Sequence, residues 1–265
     1  MRKRISAHRF VYGVIMIKQD TKRIIAFTAL AYLFMWSVFG VQVLLGGEAG
    51  FVLGALSAIG PAIAAFIVAG KAMGYKAFLK YSFTFEQRMS YYIVFLLFAV
   101  WRYLLCMFVG ERVPGSSPAL PLLLIPWCIF TGGTEEFGWR GFLQPQLEKK
   151  MHSVPATLII VFVWAFWHLP LWFIPGSTGK GSLIEFFIFL GFSLTNSFSL
   201  AAIYKITNSV LLCVLFHTWS NAITNTFMPT GHLKTIAGFA LEGVISMIIL
   251  ILCEKGVIKT AKARI

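Results

Sequence analysis

Residues 24–46 read IIAFTALAYLFMWSVFGVQVLLG, a stretch of 23 residues with no Asp, Glu, Lys or Arg. As a helix rising about 1.5 Å per residue, it is long enough to cross a hydrocarbon core of about 30 Å. It is also too long for the apolar region of a signal peptide. No small-residue cleavage site follows it, so the run is expected to remain as a membrane anchor.

Seven further apolar runs follow, at about 51–70, 91–110, 119–137, 155–175, 183–204, 208–227 and 235–253. Most reach the roughly 20 residues that a spanning helix needs. The fourth run is the weakest, because it contains Pro121 and Pro126 and ends in the polar sequence Thr131-Gly-Gly-Thr-Glu-Glu136. The short connections Gly46–Gly50 and Lys205–Thr207 predict antiparallel neighbours. The expected fold is therefore an all-α polytopic membrane bundle of about eight helices.

Composition supports this reading. The chain is 58% hydrophobic and 12% charged, about half the charged fraction of a soluble domain. Its mean hydropathy is +0.79. A soluble core at 265 residues cannot bury that much apolar surface, so lipid must solvate much of it. The net charge of +13 indicates cytoplasmic loops and anionic lipid rather than nucleic acid, since no basic stretch is long enough for a nucleic-acid surface. Cys106, Cys128, Cys213 and Cys253 all fall in apolar runs, a pattern unlike a disulfide framework or a CxxC metal site.

The positions of Lys and Arg supply an independent test. With the N terminus inside and the helices alternating, inner segments hold 19 of the 23 basic residues. Outer loops hold three, Arg112, Lys180 and Lys234, and Arg102 lies within a helix. That asymmetry predicts an even number of spans and both termini in the cytoplasm. The expected organisation is a basic cytoplasmic segment at 1–23, a single transmembrane bundle at 24–254 with its functional core at about 119–227, and a basic cytoplasmic tail at 255–265. There is no internal repeat or inverted symmetry of the transporter type.

Ionisable groups inside a membrane helix cost about 3 kcal/mol or more each, so they point to function. Three places carry them. In Glu135-Glu136-Phe-Gly-Trp-Arg140, Glu136 and Arg140 are spaced i, i+4 and can pair, which leaves Glu135 about 100° away and free to act. In Trp164-Ala-Phe-Trp-His168-Leu-Pro170, His168 lies in an aromatic run and Pro170 is expected to kink the helix just beyond it. In His217-Thr-Trp-Ser-Asn221, the i, i+4 spacing puts imidazole and amide on one face. A carboxylate with an imidazole can activate water as a general base. An amide with a second imidazole can hydrogen-bond a developing oxyanion. Together these are the parts for peptide hydrolysis without a Ser or Cys nucleophile.

These residues resemble the CPBP (CAAX protease and bacteriocin-processing, or Abi) family of intramembrane proteases, which includes the type II CAAX prenyl endopeptidases. The family pattern is EExxxR, FxxxH and HxxxN on successive membrane helices. Glu135-Glu136 with Arg140, then His168, then His217 with Asn221 match it, as do the flanking Trp139-Arg-Gly141, Leu143 and Pro145. The resemblance covers about residues 134–221. One departure is Trp164, where the pattern has Phe; another ring is expected to fill the same packing role.

By this resemblance, Glu135 and His168 activate the attacking water, and His217 and Asn221 form the oxyanion hole. Glu136 and Arg140 support them. Family members are described as metalloproteases, but this chain has no HExxH pair. A divalent metal such as Zn would have to be held by Glu135, His168 and His217 from three helices, and a metal-free glutamate mechanism is the alternative. The implied partners are the bilayer and a peptide or lipidated protein substrate, of the prenylated CAAX or bacteriocin type. The implied location is the cell membrane of a prokaryote.

Two other readings use the same residues. One is a non-catalytic peptide- or lipid-binding membrane protein acting in bacteriocin immunity. The other is a small transporter, since buried Glu and His also suit proton relays. Arg102, Glu185, Asn196 and Glu242 are polar residues in the runs without a motif, and Arg102 is expected to pair with an acid in a structural role.

Depth poses a geometric problem. Counted from the cytoplasmic ends at about 1.5 Å per residue, His168 lies about 20 Å and His217 about 14 Å into the membrane. Glu135 would lie much nearer the boundary. The expected solution is that the fourth helix continues past Arg140 as an amphipathic helix to about Glu148.

Overall fold

The apolar runs become helices, separated where proline, glycine or clustered charge interrupts them. The computed structural model describes residues 2–45, 47–85, 87–172, 183–228 and 232–261. In order they form α1 (Arg2–Leu45), α2 (Gly47–Leu56), α3 (Gly60–Met73), α4 (Tyr75–Ser82), α5 (Met89–Val109) and α6 (Leu120–Phe130). There follow α7 (Glu136–Gly138), α8 (Gln144–Glu148), α9 (Ser153–Trp167), α10 (Leu183–Thr207), α11 (Val210–Thr224) and α12 (Leu233–Glu254). Among the described residues, strand structure is limited to an antiparallel pair of β1 (Glu111–Arg112) with β2 (Phe227–Met228).

The fold is an all-α membrane bundle. Five stretches are long and apolar enough to cross a membrane: Asp20–Leu45, Val52–Met73, Met89–Val109, Leu183–Thr207 and Leu233–Glu254. The shorter apolar helices α6, α9 and α11 occupy the other three predicted runs. Burial is inverted relative to a soluble protein. Leu33, Leu97, Leu123 and Leu233 are exposed, whereas Arg102, Glu135, Glu136, Arg140 and Glu242 are buried. Lipid solvates the first set, and the second must find partners inside the bundle.

Two layers of polar contacts close the ends of the bundle. At one end Lys205 Nζ lies 2.8 Å from Glu148, the backbone N–H of Ser153 donates to Glu254, and the N–H of Ala261 donates to the carbonyl of Ile206 at 2.9 Å. Lys150 donates to Thr21 there. At the other end β1 pairs with β2, and His232 Nε2 lies 3.0 Å from Glu111. These contacts gather the segments after α8, α10 and α12 at one end and those after α5 and α11 at the other.

Two sequence expectations are corrected. The fourth run is not one helix over 119–137. α6 stops at Phe130, and the chain then follows a helical path over 133–148 that changes pitch: a 3₁₀ turn, α7, a π-helical turn at Trp139–Leu143, and α8. The path does reach Glu148, but it is not amphipathic, because Trp139, Arg140, Phe142, Leu143, Gln144 and Leu147 are all buried. Pro170, moreover, does not kink a continuing helix. α9 ends at Trp167 with His168 as its C-cap, since the proline ring cannot follow the carbonyl four residues back. Gly46 of the first short connection, residues 173–175 of the fifth run, Lys180 of the outer-loop count, and Lys262 and Arg264 of the tail lie outside the described residues.

Candidate active site

The path over 133–148 resolves the depth problem. Glu135 lies 13 residues from Glu148, about 20 Å along the helical path, and Glu148 marks the polar end of the bundle. Glu135 and Glu136 are thus carried to the level of α11's middle, where His217 sits. α6 and α7 both pack on α11, and α7 packs on α3. The contact with α3 is close. A Cβ at Gly138 would lie 2.6 Å from the carbonyl oxygen of Pro61, so only glycine lets the two backbones meet.

The two carboxylates have separate partners. Glu135 Oε2 accepts the indole N–H of Trp139 at 3.2 Å and that of Trp164 at 2.5 Å. Trp139 is one turn along the same path, and Trp164 comes from α9. Glu136 accepts from Arg140 at 2.9–3.2 Å and lies 2.7 Å from His217 Nδ1. Arg140 also donates to the backbone carbonyl of Ser197 on α10 at 3.2 Å. The predicted Glu136–Arg140 pair is therefore present, and it extends to His217.

Both histidine rings are held through Nδ1. His168 Nδ1 lies 2.9 Å from the carbonyl oxygen of Trp164. A carbonyl can only accept, so Nδ1 carries the proton and a neutral His168 presents a lone pair at Nε2. His168 stands between Trp164, Trp167 and Phe189, with ring centroids 4.9, 4.7 and 5.2 Å away. The ring of Trp164 is also 5.6 Å from that of His217. Trp164 thus touches Glu135, His168 and His217, well beyond the packing role expected of it.

Asn221 Nδ2 donates to the carbonyl of Thr131 at 3.4 Å. The turn after α6 presses against this amide: a Cβ at Gly132 would fall 2.1 Å from Asn221 Nδ2 and 3.4 Å from His217 Nε2. Glu135, Glu136, Arg140 and His217 are almost wholly buried, whereas His168 and Asn221 retain partial exposure. Those two residues mark the open side of the cluster.

The chain matches the family model described as Type II CAAX prenyl endopeptidase Rce1-like over residues 117–223. That stretch is similar to the domain of the CAAX proteases. The matched stretch runs from just before α6 to the end of α11 and contains all six residues selected from the motifs. No curated protein matches the chain.

Metal ligation was one reading of Glu135, His168 and His217. Among the described residues no three His, Cys, Asp or Glu side chains are grouped to hold a metal ion. Glu135 Oε2 holds two indoles, and each histidine commits Nδ1 to a protein oxygen. These Nδ1 contacts leave Nε2 of both rings available, as in metal-bound imidazoles, so it is only the spacing of the three side chains that does not form a metal site as arranged.

One feature escaped sequence reading. The indole donors of Trp139 and Trp164 were legible only as aromatic side chains, although Trp139 is spaced i+4 from Glu135. The expected pairing of Arg102 with an acid is present, and its partner is Glu242, 140 positions away.

Proposed function

We propose that this protein is an intramembrane endopeptidase that hydrolyses a peptide bond of a membrane-associated substrate with a water activated by Glu135 and His168. The observation that carries this reading is Trp164, which links the two groups. Its indole N–H holds one oxygen of Glu135 and its carbonyl orients His168. Glu135 Oε1 and His168 Nε2 are left to position and deprotonate water. Attack on the scissile carbonyl forms a tetrahedral intermediate, and the proton then passes to the leaving amine.

In this proposal His217 and Asn221 stabilise the oxyanion. Protonated on both nitrogens, His217 donates Nδ1–H to Glu136 and Nε2–H to the oxyanion, and Glu136 is its buried counter-ion. The Asn221 amide supplies the second donor. The 2.7 Å contact between His217 and Glu136 also favours a second reading, in which neutral His217 is itself the base, oriented by Glu136. His217→Gln separates the two: its amide can still donate to the oxyanion but cannot act as a base, so retained partial activity supports the oxyanion role.

The proposed substrate is a lipidated, CAAX-type protein presented from the cytoplasmic side, and the proposed topology is eight spans in a prokaryotic cell membrane with both termini in the cytoplasm. Supporting it is an apolar groove of about 520 Å³ between α1 and α3, lined by Leu30, Leu33, Phe34, Ile63 and Ile67. Its end at Gly60 adjoins the Pro61 that packs on Gly138. The test is cleavage of a farnesylated CAAX peptide by purified protein, with metal content measured in the same sample. Wild type should cut, while Glu135→Ala, His168→Ala and His217→Ala should be inactive yet folded. Full activity of Glu135→Ala would overturn the proposal.

A further inference from the structure

Arg102 on α5 is a buried residue that the catalytic proposal leaves without a task. Its guanidinium makes a bidentate pair with Glu242 on α12, with Nε at 3.0–3.1 Å and Nη2 at 2.6 Å. Nη1 donates to Asn196 Oδ1 on α10 at 3.2 Å and to Ser220 Oγ on α11 at 2.9 Å. The guanidinium carbon also stands 5.1 Å from the ring centroid of Phe216 on α11. Ser199 on α10 donates to Glu242 at 2.7 Å and contacts Ser246 at 3.1 Å. One buried cation thus joins four helices.

What matters is where it grips α11. Phe216 and Ser220 are spaced i, i+4 and share a face of that helix. His217 and Asn221 are the next residues along each turn, about 100° round the axis. Any rotation of α11 that moves His217 and Asn221 also moves Ser220 away from Arg102. On the active-site side, Glu136 holds His217 and the Thr131 carbonyl holds Asn221. The helix is clamped from two directions, each by a buried carboxylate–arginine pair. The clamps share an anchor, because Arg102 bonds Asn196 and Arg140 bonds the carbonyl of Ser197, adjacent on α10.

We infer that Arg102, with Glu242 as its counter-ion, is a positioning residue that fixes the rotation of α11 and so aims His217 and Asn221 at the reacting carbonyl. The inference rests on the proposed hydrolytic function for its effect on rate, but its structural content does not. Buried ion pairs are weak sources of stability and better suited to specifying one arrangement over others. Arg102 is placed to select one rotational setting, and Ser220 is the contact that transmits it.

The decisive variant is Ser220→Ala, which leaves the Arg102–Glu242 pair and the Phe216 ring contact intact and removes the one hydrogen bond from Arg102 to α11. In cleavage of a farnesylated CAAX peptide, kcat should fall about tenfold with KM within about twofold, since small misplacement of reacting groups acts on the transition state. The midpoint of thermal unfolding in detergent should not move. Arg102→Lys should retain more activity than Arg102→Met.

A second measurement is independent of catalysis. In protein labelled with [15N]histidine, the His217 ring signal, assigned by its loss in His217→Gln, should shift in Ser220→Ala while His152 and His232 stay in place. An unmoved His217 signal in Ser220→Ala overturns the inference. So does a wild-type kcat in that variant. If the wild-type protein cuts no peptide, the proposed function fails, and the histidine signal alone decides the role of Arg102.

Discussion

Glu136 Oε1 lies 2.7 Å from Nδ1 of His217, joining two residues 81 positions apart in the chain. The same carboxylate holds Arg140, so Glu136 is the junction between the path over 133–148 and α11. Its neighbour Glu135 faces the two indoles instead. Adjacent carboxylates are thereby separated by environment, one engaged with Arg140 and His217 and one with an oxygen to spare.

Replacing Glu135 with Gln keeps the shape and an oxygen for the indoles, but removes the base. Cleavage of a farnesylated peptide should fall by about a hundredfold or more, the usual scale of general-base catalysis. Thermal unfolding should be unchanged. Single-turnover kinetics measure the first, and intrinsic fluorescence on heating measures the second. Near-normal turnover would remove Glu135 from the mechanism.

Trp164→Phe separates the packing role of this ring from its hydrogen bond. The substitution keeps an aromatic side chain against His168 but deletes the donor to Glu135. A hydrogen bond to a charged group contributes about 1.5–3 kcal/mol, so kcat should drop roughly tenfold or more. Trp167→Phe, whose indole donates to the carbonyl of Ala31 rather than to the site, is the control and should cost stability more than rate.

Arg140→Met strands the Glu136 carboxylate in the bundle. Breaking one side of a buried pair costs about 3–5 kcal/mol, which should lower the unfolding midpoint clearly. The double variant Glu136→Gln/Arg140→Met should recover part of that loss while remaining inactive. A single variant as stable as wild type would show that the pair contributes little to holding the path in place.

Gly132→Ala introduces a methyl group 2.1 Å from Asn221 Nδ2. The amide must move, so cleavage should fall sharply with little change in expression or unfolding. Gly40→Ala meets nothing within 4 Å and should behave as wild type. Equal activity of the two variants would argue against a role for the Asn221 position.

Topology is testable with single cysteines, because the four native ones are buried and free. Ser117→Cys, in the exposed loop beyond β1, should react with a membrane-impermeant maleimide in intact cells. Lys80→Cys, exposed at the end of α4, should react only after the membrane is opened. The reverse pattern would invert the proposed orientation.

Much of this protein was readable from its residues in order. Apolar runs long enough to span a bilayer, with charge excluded from them, dictate an all-α membrane bundle, because an unpaired backbone cannot exist in lipid. The i, i+4 spacings of Glu136 with Arg140 and of His217 with Asn221 are local, so their shared faces follow from helix geometry alone. What sequence could not supply was the setting of one helix against another. The break at Thr131–Gly132 and the π turn at Trp139–Leu143 carry Glu135 to the depth of His217; the glycines permit the break, but packing on α3 and α11 sets where the path runs. The tie from Trp164 to Glu135 and the Arg102–Glu242 pair likewise join residues far apart in the chain. In the absence of water, each buried polar group takes whichever partner the bundle brings within reach. Only the tertiary structure decides which one that is.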